Sequence, residues 1–349
     1  MKTKFIFHIL LMTAVVFLAS CVKEGPAGVA GQDGQDGLNG TDGQDAVVNC
    51  TTCHTADKIS SRQFQYASSG HKAGLYVGYA GGRASCAGCH SGTGFIQRIA
   101  EGSTTGAISE DIAFPEVINC ETCHNLHSTF TYADLGLRGG GDVALIAGGT
   151  FSKTDGANIC ANCHQARRPE PNIEVPGETF EITSSHYGPH HGPQSQIFLG
   201  IGFAEIPGSV TYPAAGSSDH TKDASCVACH MGDYVNGEGG HTWHSNLSTC
   251  VECHGVDMDN FDYGGKQTVT LGQLEELRDL LITLGVVGGN DTDGYHPVTG
   301  TYPMVQAQAY FNWVGIEEDR SEGAHNPKYV GALLLNTIEA MKAEVAATK

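Results

Sequence analysis

The stretch Cys226-Val227-Ala228-Cys229-His230 is one of six copies of a Cys-x-x-Cys-His unit, and these units decide the fold. They account for twelve of the thirteen cysteines of the chain. Their spacing is uneven, so the copies do not form a strict structural repeat. The six units are Cys50/Cys53/His54, Cys86/Cys89/His90, Cys120/Cys123/His124, Cys160/Cys163/His164, Cys226/Cys229/His230 and Cys250/Cys253/His254.

Each unit is suited to the covalent attachment of a haem c. The two thiols add to the vinyl groups of the haem, and the adjacent imidazole becomes the proximal iron ligand. Zinc sites with four cysteines and vicinal disulfides are the competing interpretations, but neither needs a histidine directly after the second cysteine. Histidine makes up 17 of 349 residues, so six such coincidences have odds of roughly 10⁻⁸. The sequence therefore predicts six haem c groups.

The composition favours a chain whose interior is partly filled by haem. Only 40% of the residues are hydrophobic and 8% aromatic, while 47 of 349 are glycine. We therefore predict a mainly α-helical fold with much irregular structure, in which a haem-packed body covers residues 50–265 and a C-terminal helical part covers 266–349. The formal charge of −19 argues against a nucleic-acid partner. The only long apolar run is N-terminal, which excludes a polytopic membrane protein.

The first twenty residues have the pattern of an export signal. Lys2 and Lys4 precede a run of mostly apolar residues that is too short to span a bilayer comfortably. The run ends in Leu18-Ala19-Ser20-Cys21, which resembles a bacterial lipobox, and Cys21 is the one cysteine outside the six units. We expect residues 1–20 to be a lipoprotein signal peptide and Cys21 to be lipidated, which would tether the protein to the cell envelope. A plain signal peptide with an incidental cysteine is the alternative.

A spacer over residues 21–49 follows the signal. Glycine falls at every third position from Gly25 to Gly43, which is the collagen period. Only Pro26 adds imino-acid stiffening. The pattern leaves two interpretations open, a flexible polar tether and a trimerising stalk.

The second axial ligand distinguishes an electron carrier from an enzyme, because a haem with two histidine ligands has no position for substrate. Excluding His8 in the signal and the six motif histidines leaves ten of the 17 histidines. Six distal ligands are needed, so the supply is sufficient. We predict as distal ligands His71, His127, His191, His220, His241 and His325, with His186 and His190 ranked next.

The C-terminal part shows helical patterns. Thr270-Leu271-Gly272-Gln273 predicts a capping box before an apolar stripe that Gly285 closes. A second helix is expected from Pro303 to Trp313. The last helix is expected to begin after Asn326 with Pro327 in its first turn, and to bury the apolar side chains from Val330 to Met341.

Taken together, residues 50–349 resemble the exported multihaem c-type cytochromes of bacteria. Beyond the six units, the resemblance rests on the stretches 186–194 (HYGPHHGPQ), 239–242 (GGHT) and 323–329 (GAHNPKY). Similar segments occur in the lineage of pentahaem nitrite reductases and octahaem enzymes, where such histidines are distal ligands. None of the units ends in the lysine that marks the catalytic haem of those reductases. The haem count also resembles that of hexahaem cytochromes that polymerise into extracellular filaments.

These patterns predict an exported, lipid-anchored hexahaem cytochrome that passes electrons to other redox proteins or to periplasmic or extracellular acceptors. No side chain is then catalytic; cysteines anchor the haems and histidines set their potentials. One alternative is an oxidoreductase that reduces a small nitrogen or sulfur oxyanion at one open haem, with the spare histidines of 186–191 as acid–base groups. Another is a subunit of a filament or homotrimer.

Overall fold

The computed structural model describes residues 50–171, 178–255 and 258–349. All of them belong to one unit. The expected signal peptide, the lipobox cysteine Cys21 and the collagen-like spacer lie outside the described residues. Within the described ranges, no helix is both long enough and apolar enough to cross a bilayer.

In the described residues from 50 to 255, ten short helices and several 3₁₀ or π turns make up most of the regular structure. Isolated helices of this length are marginal in water, so they depend on packing or on a bound group. The helices are α1 Ser61–Ala67, α2 Gly70–Ala73, α3 Ala84–His90, α4 Gly92–Glu101, α5 Cys120–Cys123, α6 Asn158–Ala161, α7 Gln194–Leu199, α8 Asp219–Asp223, α9 Cys226–His230 and α10 Leu247–His254.

The described part of the chain has few strands, and they form three two-stranded antiparallel sheets. The pair β3–β6 joins the segment after the fourth unit to the C-terminal part, with Thr179 opposite Pro303 and Ile182 opposite Gly300. The strands are β1 Val143–Ala144, β2 Thr150–Phe151, β3 Thr179–Ile182, β4 Val287–Asn290, β5 Gly294–Pro297 and β6 Gly300–Pro303.

Three long helices close the chain: α11 Lys266–Thr283, α12 Met304–Asp319 and α13 Pro327–Ala347. They build the main apolar core, in which Leu277, Phe311 and Leu333 are fully buried. The predicted fold class, mainly helical with much irregular structure and C-terminal helices, is confirmed by this architecture.

The boundaries of these helices test the sequence patterns. The last helix is as predicted, because the Asn326 side chain accepts the Tyr329 backbone N–H and the side chains from Val330 to Met341 on its apolar face are buried. The predicted capping box at Thr270 is wrong, since α11 begins four residues earlier and Thr270 is buried within it. Helix α12 also continues past Trp313 to Asp319.

Buried apolar side chains are unevenly distributed along the chain. Of the described residues before Val143, only Ala80, Ala87, Phe95 and Ile108 are buried hydrophobic residues. Helices α9 and α10, which carry the fifth and sixth units, bury no residue. The first three units and the sixth therefore lie where the described polypeptide supplies little apolar core, whereas the fourth and fifth border a second, smaller cluster that contains Phe151 and Ala161.

Candidate functional site

Short helices with a side-chain cap hold three of the six Cys-x-x-Cys-His units. The side chains of Asn119, Ser225 and Asn246 each accept a backbone N–H three residues later, which fixes the first turn of α5, α9 and α10. None of the motif cysteines from Cys53 to Cys253, all of which lie in the described residues, forms a disulfide.

Every motif histidine faces one histidine from outside the motifs. The ring centres of the two partners are 6.0–6.5 Å apart in all six pairs, and the partners come from different segments of the chain. The pairs are His54–His127 at 6.1 Å, His90–His190 at 6.0 Å, His124–His241 at 6.5 Å, His164–His71 at 6.3 Å, His230–His325 at 6.2 Å and His254–His220 at 6.2 Å.

The separation fits two imidazoles that bind one iron atom from opposite sides. A metal–imidazole bond is about 2 Å long and the ring centre lies about 1 Å behind the nitrogen, which gives roughly 6 Å between centres. One facing ring, that of His190, also has a buried Nε2 without a hydrogen-bond partner. Such atoms are costly unless they bind something.

Exposed aromatic side chains beside the pairs also fit haem. Tyr76 lies against His90, Phe130 against His127, and Tyr263 against His254 at 3.9 Å between ring centres. These aromatic residues are 64%, 57% and 46% exposed, respectively. A porphyrin held between the paired histidines would cover such apolar surface and supply the core that the polypeptide lacks.

Comparison with known proteins gives two findings. A family model described as cytochrome c3 matches residues 42–136. The chain is also similar to the solved structure of the outer cell wall cytochrome OcwA, with a TM-score of 0.52 and 18% sequence identity over 80% of this chain and 50% of that chain. The chain thus spans about half the length of that cytochrome. No curated protein matches it.

These findings support a multihaem c-type cytochrome. The family match covers the first three Cys-x-x-Cys-His units, and the structural likeness covers the fold far beyond them. Haem c is accordingly the cofactor that the chain would hold, with cysteines as the covalent anchors.

Five of the paired histidines donate a hydrogen bond from Nδ1, which leaves their Nε2 available for metal. His124 donates to the Leu135 carbonyl at 2.7 Å and His230 to the Trp243 carbonyl at 2.8 Å. His220 donates to the Ala324 carbonyl at 2.6 Å.

Two further acceptors are side chains rather than carbonyls. His164 donates from Nδ1 to Oε1 of Gln194 at 3.3 Å. His325 donates from Nδ1 to Oδ1 of Asp319 at 2.7 Å, and this carboxylate is only 1% exposed. The His325–Asp319 contact is therefore a buried, charge-assisted hydrogen bond.

Burial sets the charge of the facing rings. It lowers the pKa of His71, His190 and His241 to about 4, so these imidazoles are neutral at pH 7, the form that binds metal. Burial also acts to lower the pKa of His325, but the facing Asp319 carboxylate outweighs it and the pKa is raised.

Adjacent units contact one another. The buried Arg98 guanidinium donates to the Asn162 carbonyl at 2.6 Å and to Cys89 Sγ at 3.5 Å, which connects the second and fourth units. The Ser225 hydroxyl, directly before the fifth unit, donates to the Asp155 carboxylate, five residues before the fourth, and so connects those two units.

Of the predicted distal histidines, five face a motif histidine and one does not. His191 instead pairs with Glu318, Nδ1 to Oε1 at 2.8 Å, and its side chain is 72% exposed. Its neighbour His190, ranked lower from the sequence, faces His90. His186 is exposed and its ring lies 6.3 Å from that of His296, outside any unit.

Sequence reasoning missed two residues that hold these histidines in place, Asp319 and Trp243. Asp319 precedes His325 by six residues, a spacing with no known signature. For Trp243, the only signal in the sequence is its place two residues after the predicted ligand His241.

Proposed function

We propose that the chain is a hexahaem c-type cytochrome that carries electrons across or outside the cell envelope through six bis-histidine haems. The main support is that each motif histidine faces a second histidine at 6.0–6.5 Å. Bound haem supplies a one-electron iron couple. With both axial positions filled, the iron has no place for a substrate, and the group serves electron transfer.

The proposed distal ligands are the six facing histidines, with His190 in place of His191. The Nδ1 hydrogen bonds of His220 and His325 orient those two rings, and the neutral state of His71, His190 and His241 suits metal binding. Contacts between units, such as the Arg98 bridge from Cys89 to Asn162, support transfer from one haem to the next.

Haem content and iron spin state test this function. We expect a pyridine haemochrome assay to give six haems per chain and EPR of the oxidised protein to show only low-spin iron. The imidazole planes differ by 6° in the His54–His127 pair but by 79° in the His90–His190 and His254–His220 pairs. Because the angle between axial ligand planes affects g-anisotropy, at least two classes of low-spin signal are expected. Carbon monoxide should not shift the spectrum of the reduced protein.

A cationic pocket beside one pair favours a second candidate function, reduction of a small nitrogen or sulfur oxyanion. A cavity of about 220 Å³ is lined by Arg167, Arg168, Ser184, His186, Gly188 and His190. This second function requires that the haem bound by His90 has a free distal position. A high-spin signal from about one haem in six, with matching carbon monoxide binding, would favour it over the carrier.

The proposed site of action is the outside of the cell membrane, with Cys21 as a lipid anchor. The apolar signal and lipobox-like Leu18-Ala19-Ser20-Cys21 support this. Partners would then be other redox proteins or external electron acceptors. The Gly-X-Y spacer supports a homotrimer or filament as the alternative to a monomer, and mass in solution separates them.

Replacing Cys21 with serine is expected to remove the anchor, because serine has no thiol for diacylation. The C21S protein should leave the membrane fraction and lose the diacyl mass, while its haem content remains six. Ser20→Ala is the matched control, since it retains a small residue before an intact cysteine. If C21S remains membrane-bound with unchanged mass, the lipoprotein assignment is wrong.

A further inference from the structure

Trp243 has an unusual backbone conformation. It follows the 3₁₀ turn Gly240–Thr242 and lies in the left-handed region at φ 56° and ψ 12°. That region costs a non-glycine residue roughly 1 kcal/mol or more and persists only where the surroundings hold it.

The surroundings do hold it. The Gly239 backbone N–H donates to the His244 carbonyl at 2.8 Å, and the Thr242 hydroxyl donates to the Gly239 carbonyl at 2.8 Å. Gln65 on α1 accepts the His241 backbone N–H at 2.9 Å. Three hydrogen bonds thus hold the segment around a strained residue, which indicates that Trp243 has a role in this position.

The residue contacts histidines of three different pairs. The indole centre lies 4.6 Å from the His71 ring and 5.5 Å from the His241 ring, edge-on at 67° in both cases. Its carbonyl accepts the Nδ1–H of His230 at 2.8 Å. His71 faces His164 and His241 faces His124, so one residue contacts the pairs of the third, fourth and fifth units.

We propose that Trp243 is a positioning residue that sets the ring planes of axial histidines at three haems. This inference rests on the proposed hexahaem function. An imidazole bound through one nitrogen still rotates about its metal bond, and the indole edges restrict that rotation for His71 and His241. The carbonyl separately fixes the tautomer and orientation of His230. The two effects are separable, because side-chain substitutions retain the carbonyl.

The test compares Trp243→Phe and Trp243→Leu with Trp313→Phe. The chain has two tryptophans, and Trp313 is buried in the C-terminal core, next to Tyr310 rather than a paired histidine. The readouts are haem content, EPR of the oxidised protein and the potentiometric titration.

We expect W243L to retain six low-spin haems while the EPR signals of two haems shift and their midpoint potentials change. W243F should give a smaller shift of the same signals, and W313F none. If W243L does not load six haems, the EPR spectra and titration of W243F alone test the proposal. EPR and titration curves identical to those of the unmodified protein would overturn the proposal.

A separate measurement distinguishes failure of this inference from failure of the proposed function. His71→Ala and His241→Ala should each open one haem to carbon monoxide. If neither does, the axial assignment is wrong whatever Trp243 shows. If both do and W243L is silent, the function stands and only the role of Trp243 is refuted.

Discussion

Replacing His190 with alanine is expected to open one haem of six to carbon monoxide, whereas replacing the adjacent His191 is expected to open none. His190 faces His90 at 6.0 Å between ring centres, and its buried Nε2 has no hydrogen-bond partner. Removing the imidazole leaves iron with one protein ligand, and a five-coordinate ferric haem becomes high-spin. The measurement is carbon monoxide stoichiometry on the reduced protein, with EPR of the oxidised form.

His191→Ala is a matched control because it removes the same side chain one residue away. His191 is exposed and pairs with the partly buried Glu318 carboxylate, so its loss removes an ion pair but no histidine that faces a motif histidine. If H191A binds one equivalent of carbon monoxide and H190A binds none, the sequence ranking was right and the observed pairing is wrong.

The difference between these two neighbours shows where sequence reasoning stops. The six Cys-x-x-Cys-His units are local patterns, and their chemistry follows from residue type and spacing alone. The Asn326-Pro327 start of the last helix is local in the same sense, and it was predicted. In these cases all the interacting groups lie within a few residues of each other.

The facing histidines depend on contacts between distant segments. Whether His190 or His191 points toward His90 depends on the positive φ of 75° at His190, and on Glu318, which lies more than a hundred residues later. Trp243 contacts His71 across a similar separation. No local pattern encodes such a partner, so the sequence limited the candidates to ten histidines without pairing them.

Replacing Asp319 with asparagine is expected to raise the midpoint potential of one haem by on the order of 100 mV. The Asp319 carboxylate accepts the Nδ1–H of His325 at 2.7 Å and is 1% exposed, so its charge acts on the ligand without much screening. The negative charge stabilises the oxidised iron and makes His325 a more basic ligand. Removing one charge at about 7 Å with an effective dielectric constant of about 20 is worth about 2 kcal/mol, which corresponds to roughly 100 mV for a one-electron couple.

The direction of the potential shift in D319N shows whether the Asp319 charge acts on this haem. Asparagine retains a side-chain oxygen that can accept the same hydrogen bond, so D319N should preserve six low-spin haems and alter only the charge.

Asp279→Asn is the control, because Asp279 is a carboxylate on α11 that is 66% exposed and pairs with Arg278. We expect its potentiometric titration to superimpose on that of the unmodified protein. A D319N titration that is unchanged, or that moves one haem to a lower potential, would contradict a role for this carboxylate at His325. An upward shift confined to one of six haems identifies the buried Asp319 charge as the group that lowers the potential of the haem bound by the fifth unit.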